Sequence, residues 1–250
     1  MMSNDALADD LVIGVLGGMG PQATVDFLAK LIAATPVTHE QEHLRVRVDS
    51  NPKLPDRNQA IAGLGDSPGP ELAEMALGLQ HAGADFLVMA CNTAHAFEPA
   101  IRQAITVPFV SMVAEACDAC ERAFPHSRRV GILAAQGCLD TGLYQEELER
   151  RARATLILAP ADQQRFMALL YRIKQGDLGP EVRAGMRALG EALGTAGADV
   201  IVAACTEVPL VLQEGDLSRP IVDATFNLAQ RCVMYARHLA PFPTASFPNH

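Results

Sequence analysis

The chain carries one short arrangement twice. GADFLVMACNTAH (83–95) and GADVIVAACTEVP (197–209) each lead from Gly-Ala-Asp through a brief apolar run to a cysteine and then to polar residues. Gly83 and Gly197 stand 114 positions apart, and so do Cys91 and Cys205. Ile13-Gly14 matches Val130-Gly131 and Thr24 matches Thr141, both at a spacing of 117, while Pro108-Phe109-Val110 matches Pro220-Ile221-Val222 at 112. Landmarks that recur in one order at nearly one offset predict two copies of a single unit, and a period this long suits duplicated lobes better than a solenoid.

Each copy alternates short β-rich runs with longer helical segments. Residues 11–17, 43–50, 85–90, 108–112, 129–135, 154–159, 199–204 and 220–224 read as strands, most of them apolar on both faces as buried parallel strands are. PQATVDFLAKLIAAT, opened by Pro21, and PELAEMALGLQHAG, closed by Gly83, read as helices, as does GLYQEELERRA. The predicted fold class is therefore α/β: two pseudo-symmetric lobes, each a mainly parallel sheet flanked by helices, with the active site in the cleft between them. Residues 1–113 plus 223–250 are expected to form the first lobe and 114–222 the second. Ligands of such sheets lie beyond the carboxyl ends of the strands, and Cys91 and Cys205 both fall one residue past a predicted strand, each facing the cleft from its own side.

Charge narrows the partners. The formal net charge is −9 and no Lys/Arg cluster occurs, so the chain offers no basic surface for nucleic acid. The start, MMSNDALADD, lacks the basic and then apolar pattern of a signal peptide, and no apolar run approaches the roughly 18 residues of a membrane span. No membrane partner is expected, and the cytoplasm is the expected address. Six cysteines in such a chain read as separate reduced thiols, not as a disulfide framework.

A thiol at a strand end that opens a helix lies near unpaired backbone N–H groups, which favour the thiolate. One such cysteine suggests a nucleophile, whereas two opposed cysteines suggest proton transfer across a carbon. If one thiolate removes a proton and the opposite thiol supplies one to the other face, the carbon inverts; this is the chemistry of a two-base racemase or epimerase. Small buried core residues are the alternative for both cysteines. The polar flanks Asn92-Thr93 and Thr206-Glu207, where packing would prefer apolar residues, favour function.

GVLGGMGPQAT, NPKLPDR (51–57), ACNTAH, YRIKQG (171–176) and AACTEVPL, in this order, resemble the aspartate/glutamate racemase family, in its aspartate-racemase branch. The resemblance runs from about residue 11 to 236 and implies racemisation of a small acidic amino acid without cofactor or metal, in a two-lobed α/β fold that usually forms a homodimer. It implies Cys91 and Cys205 as the catalytic pair. It also implies Asn92, Thr93 and Thr206 around the substrate's α-carboxylate and amino group, and Arg57 and Lys174 as the cations for its carboxylates. A dianionic substrate entering an acidic protein needs such local cations, and Arg grips a carboxylate in bidentate fashion. In the same reading, the loop holding Met19 is expected to bring that side chain to the cleft. Two departures bear on the substrate side chain: Asn58 stands where the family usually has Thr, and AAQGC (134–138) places Cys138 where a threonine-flanked glycine is more common. Other readings stay open on the same scaffold: a broad-specificity racemase, an isomerase, a decarboxylase or hydrolase using one cysteine, or a binding protein for acidic ligands without turnover.

Some signals compete. Gly18-Met19-Gly20-Pro21-Gln22-Ala23 satisfies the loose dinucleotide pattern, but the next strand's acid, Asp49, follows Gly20 by 29 residues, later than the usual ~20. Cys117 and Cys120 lie on one helical stripe with Val113 and Phe124 and no second pair completes a zinc site, so core packing is the expectation. Cys232 reads as helix core. His95 and Glu207 are candidates for orienting or tuning the neighbouring thiols, with helix capping or a surface role as the alternative. The proline-rich tail APFPTASFPNH is expected to be loose or strapped over the surface.

Overall fold

Ile13–Gly17 forms β1, a strand with every residue buried, as expected where helices cover both faces of a parallel sheet. In the computed structural model of the chain, which describes residues 10–244, β1 lies between Val46–Ser50 (β2) and Phe86–Met89 (β3), and Phe109–Val110 (β4) completes the order β2-β1-β3-β4. The second sheet, built from Arg129–Leu133 (β5), Ala154–Leu156 (β6), Val200–Ala203 (β7) and Ile221–Asp223 (β8), repeats that order as β6-β5-β7-β8. Every pairing in both sheets is parallel. The central strands end in register, Leu16 opposite Met89 in one sheet and Leu133 opposite Ala203 in the other. The duplication read from the sequence is thus a duplication of sheet topology.

Helices cover the sheets. They are Pro21–Ala34 (α1), Arg57–Ile61 (α2), Gly69–His81 (α3), Glu98–Ala104 (α4), Met112–Ala123 (α5), Gln136–Asp140 (α6), Leu143–Arg150 (α7), Pro160–Lys174 (α8), Pro180–Thr195 (α9) and Ala224–Ala236 (α10). Pro21, Pro160 and Pro180 each open a helix, where proline's fixed φ fits and its missing N–H leaves no bond unmade. Asp56 caps α2 by accepting from the Gln59 N–H, and Asp223 caps α10 by accepting from those of Thr225 and Phe226. Gly18 turns the chain out of β1 at φ +90°, and a Cβ there would lie 2.5 Å from the backbone of Asn51, so close backbone approach accounts for this glycine.

One apolar cluster joins the two halves: Val15 and Val88 of the first sheet pack in the same core as Ile132 and Val202 of the second. Cys117, Cys120 and Cys232 are buried in that cluster. The α10 helix packs on both α1 and α5, and the chain beyond it is strapped down at Phe242, whose ring stacks on Tyr235 at 4.9 Å and meets the edge of Phe86. The rest of the tail, from residue 245, lies outside the described residues, as does the acidic start up to residue 9. Among the described residues no helix is long and apolar enough to cross a membrane.

Two expectations need correction. Strands β3 and β7 end at Met89 and Ala203, so each cysteine stands two residues past its strand, and the chain then enters a short 3-10 turn (Thr93–Phe97 and Val208–Leu210), not an α-helix. The start of a 3-10 turn still leaves backbone N–H groups unpaired, and that of Glu207 pulls the Cys205 pKa down against the larger effect of burial. Edge strand β2 is only partly buried, with Val48 exposed, whereas the opposite edge, β4, is buried throughout.

Candidate active site

The strand ends and the loops that leave them converge on one cleft. Met19 comes from the loop after β1, Arg57 and Asn58 from the start of α2, Cys91, Asn92 and Thr93 from the segment after β3. From the other half come Ala135 after β5, Leu170 and Lys174 of α8, and Cys205, Thr206 and Glu207 after β7; all twelve line the same cleft. The eight residues expected to catalyse or to hold substrate are therefore brought together, as are Asn58 and Glu207, while His95 and Cys138 stay outside the lining. The cleft is closed down to about 20 Å³ of free space, the room of roughly one water molecule. An amino acid enters only as its walls part.

Two hydrogen bonds tie the walls to each other. Asn58 Oδ1 accepts from the backbone N–H of Gly137 at 2.9 Å, joining α2 to α6. The buried Tyr144 hydroxyl donates to Asn92 Oδ1 at 2.5 Å, joining α7 to the segment after Cys91. With its oxygen so occupied, Asn92 leaves Nδ2 as a buried donor without a partner among the described residues, in a residue that lines the cleft. A buried amide donor left open in a cleft is suited to an anionic oxygen. Neither Asn58 as a lobe-bridging residue nor Tyr144 was singled out in the sequence for these contacts.

The thiols differ in their surroundings. Cys205 Sγ donates to Glu207 Oε2 at 3.1 Å, and Glu207 Oε1 accepts from Lys174 Nζ at 2.6 Å. Burial, and then the Glu207 charge, push the Cys205 thiol well above the usual range, against a smaller downward pull from Lys174. Burial on its own would lower the Lys174 pKa, but Glu207 and the sulfurs of Cys205 and Cys91 outweigh it and hold the ammonium charged. Among the described residues no carboxylate makes a hydrogen bond to the Cys91 thiol; the Cys91 carbonyl accepts from Nδ1 of His95 at 2.8 Å. His95 Nε2 accepts from the Met112 N–H, which fixes Nδ1 as the protonated nitrogen, and burial lowers its pKa. His95 is thus a neutral buried brace on the backbone of Cys91, with no contact to the thiol, whereas Glu207 touches the thiol it follows.

Arg57 extends Nη1 to the carbonyls of Pro55 and Leu54 and forms no ion pair among the described residues, so its remaining N–H groups are held in a set direction. Cys138, the third sulfur near the site, does not line the cleft; it is buried, and burial followed by the nearby Cys91 push its thiol up to about 12. Among the described residues no group of three or more His, Cys, Asp or Glu side chains is placed to hold a metal ion.

Two matched parallel sheets with a cysteine from each at a shared cleft define a two-lobed α/β enzyme scaffold of the racemase type. The chain belongs to the Asp/Glu/Hydantoin racemase family, whose profile matches residues 16–232. It is 28% identical to the broad specificity amino-acid racemase RacX of Bacillus subtilis, over 89% of this chain and 96% of that one. Among solved structures it is similar to Picrophilus torridus aspartate racemase, with a TM-score of 0.82 and 26% identity over 90% of this chain and 94% of that one. It shares its fold with the allantoin racemase of Klebsiella pneumoniae, at TM-score 0.56 and 19% identity over 96% and 94% of the two chains.

Proposed function

We propose that the protein interconverts L- and D-aspartate, with glutamate as the second substrate, by cofactor-independent proton transfer between Cys91 and Cys205. The observation that carries this reading is that the two cysteines leave matching strand ends of two like sheets and line one cleft together with Arg57 and Lys174. A thiolate on one side takes the Cα proton, the thiol opposite delivers a proton to the other face, and the roles exchange with the direction of reaction. Cys205, whose thiol form is favoured by burial and by Glu207, starts as the acid in the direction in which Cys91 is the base.

The free part of the Arg57 fork takes one substrate carboxylate. Lys174 takes the other while keeping Glu207, since an ammonium has three donors. Asn92 Nδ2, Thr93 and Thr206 supply the shorter contacts to the α-carboxylate and amino group. Resemblance to the Picrophilus aspartate racemase supports an acidic substrate. A broader range is the second reading, favoured by the apolar Met19, Ala135 and Leu170 in the lining and by the likeness to RacX. The protein is further proposed to act as a homodimer.

Separate incubation of L- and D-Asp and L- and D-Glu in D₂O, with dialysed and chelator-treated protein, tests the reading. Loss of the Cα proton signal with decay of optical rotation is the expected result for aspartate. A decarboxylase or hydrolase would change the substrate's composition, and a binding protein would leave the Cα proton in place. Activity that appears only after addition of pyridoxal phosphate would contradict the proposal.

A further inference from the structure

A second cavity opens at the carboxyl ends of β5 and β6, beside the catalytic cleft but sharing no lining residue with it. Its volume is about 540 Å³, in the range of small-molecule sites. Leu139, Ile157 and Met167 give it apolar walls, and Ile157 is 52% exposed there although it continues the line of a strand.

Two glutamines in this lining come from different helices, Gln145 from α7 and Gln163 from α8. Gln145 Nε2 donates to the Leu139 carbonyl at 2.9 Å, and Gln163 Nε2 donates to the Ala134 carbonyl at 3.1 Å. These bonds fix which end of each amide is which. In both, the carbonyl Oε1 is then buried without a partner among the described residues, and Gln163 as a whole is only 6% exposed. Buried amide acceptors are almost always satisfied, so two orphans on one cavity point to a ligand that brings N–H donors. Asp140 is the only titratable side chain in the lining. It accepts from Gln136 Nε2 at 2.7 Å and keeps lone pairs for a further donor. With a carboxylate and no cation, the cavity disfavours an anion.

We propose that this cavity binds a small cation with a flat or aliphatic apolar body and several N–H donors, of the amidinium or guanidinium class. The carbonyls of Gln145 and Gln163, which the side chains must turn to bring out of the cavity wall, accept from its N–H groups, Asp140 balances its charge, and Leu139, Ile157 and Met167 cover its apolar part. The site is separate from the one proposed for aspartate, and its test reads binding, not turnover.

Benzamidine serves as the probe and benzoate as its charge-reversed counterpart, titrated into the full-length protein by calorimetry with saturation-transfer NMR. Benzamidine should bind saturably at one site per chain, benzoate should not, and excess L-aspartate should not displace the probe. Gln163→Leu removes one orphan acceptor at similar volume and should weaken benzamidine at least tenfold. Asp140→Asn, at an exposed position that tolerates change, should weaken it as well and serves if Gln163→Leu does not fold. Equal binding of both probes, binding of neither, displacement by aspartate, or undiminished affinity in the folded variants would overturn the proposal.

Discussion

Cys205 holds its sulfur 3.1 Å from Glu207 Oε2, and the same carboxylate holds Lys174 at 2.6 Å through its other oxygen. The acidity of one thiol in the cleft is therefore set by burial first and then tuned by a neighbouring charge pair. Glu207→Gln removes the like charge and leaves the Lys174 ammonium, so the Cys205 pKa should fall. Lys174→Met does the opposite and should raise it further. The pH dependence of iodoacetamide labelling at Cys205, followed by mass spectrometry in a Cys91→Ser background, reads both shifts. Identical profiles in all three proteins would remove Glu207 from any role in positioning or tuning that thiol.

Arg57 enters the cleft with Nη1 already engaged by the carbonyls of Leu54 and Pro55. Arg57→Lys keeps the charge but loses the planar fork. The expected result is a drop in kcat/KM of about tenfold or more, since a charged hydrogen bond is worth on the order of 1.5–3 kcal/mol. Kinetics unchanged from the parent would mean that Arg57 does not touch the substrate.

Tyr144 is buried and meets the site through its bond to Asn92. Tyr144→Phe strands Asn92 Oδ1 and frees the amide to turn, so a stability loss of about 1–3 kcal/mol should accompany a raised KM with a smaller change in kcat. Urea unfolding and steady-state kinetics check the two parts. A variant as stable as the parent, with the same KM, would show that this bond does not position Asn92.

Burial raises the thiols of Cys117, Cys120, Cys138, Cys205 and Cys232. Folded-state values above unfolded ones mean that the associated stability is complete below the unfolded thiol pKa, near 8.5, and drains away above it, where only the unfolded chain releases protons. Each thiol contributes about 1.4 kcal/mol per pH unit in that range. Unfolding free energy under reducing conditions should therefore drop by several kcal/mol between pH 7.5 and 9.5, and a flat profile would contradict the burial of these thiols.

Much of this arrangement was legible in the chain because it is local and repeated. Each apolar run buried on both faces formed a strand, and the offset between Cys91 and Cys205 carried over into matched sheet topology. The bonds that join the cleft walls were not legible. Tyr144 meets Asn92 across 52 residues and Asn58 meets Gly137 across 79, and no periodicity or turn signal encodes such a meeting. The 3-10 turns after the cysteines were missed for a related reason: polar residues after a strand look alike whether they open a helix or a tight turn.

The central claim is that the two thiols serve opposite faces of one carbon. Cys91→Ser and Cys205→Ser should each lower racemisation by more than about a hundredfold, because a serine hydroxyl is a far weaker acid and base in the same place. Each variant keeps one thiol, however, and can still take the proton that faces it. The decisive measurement is elimination of chloride from L- and D-β-chloroalanine by the two variants. The account predicts opposite enantiomer preferences, one variant consuming the L form and the other the D form. The same preference in both, or near-parental racemisation in either, would contradict a two-sided site built from Cys91 and Cys205.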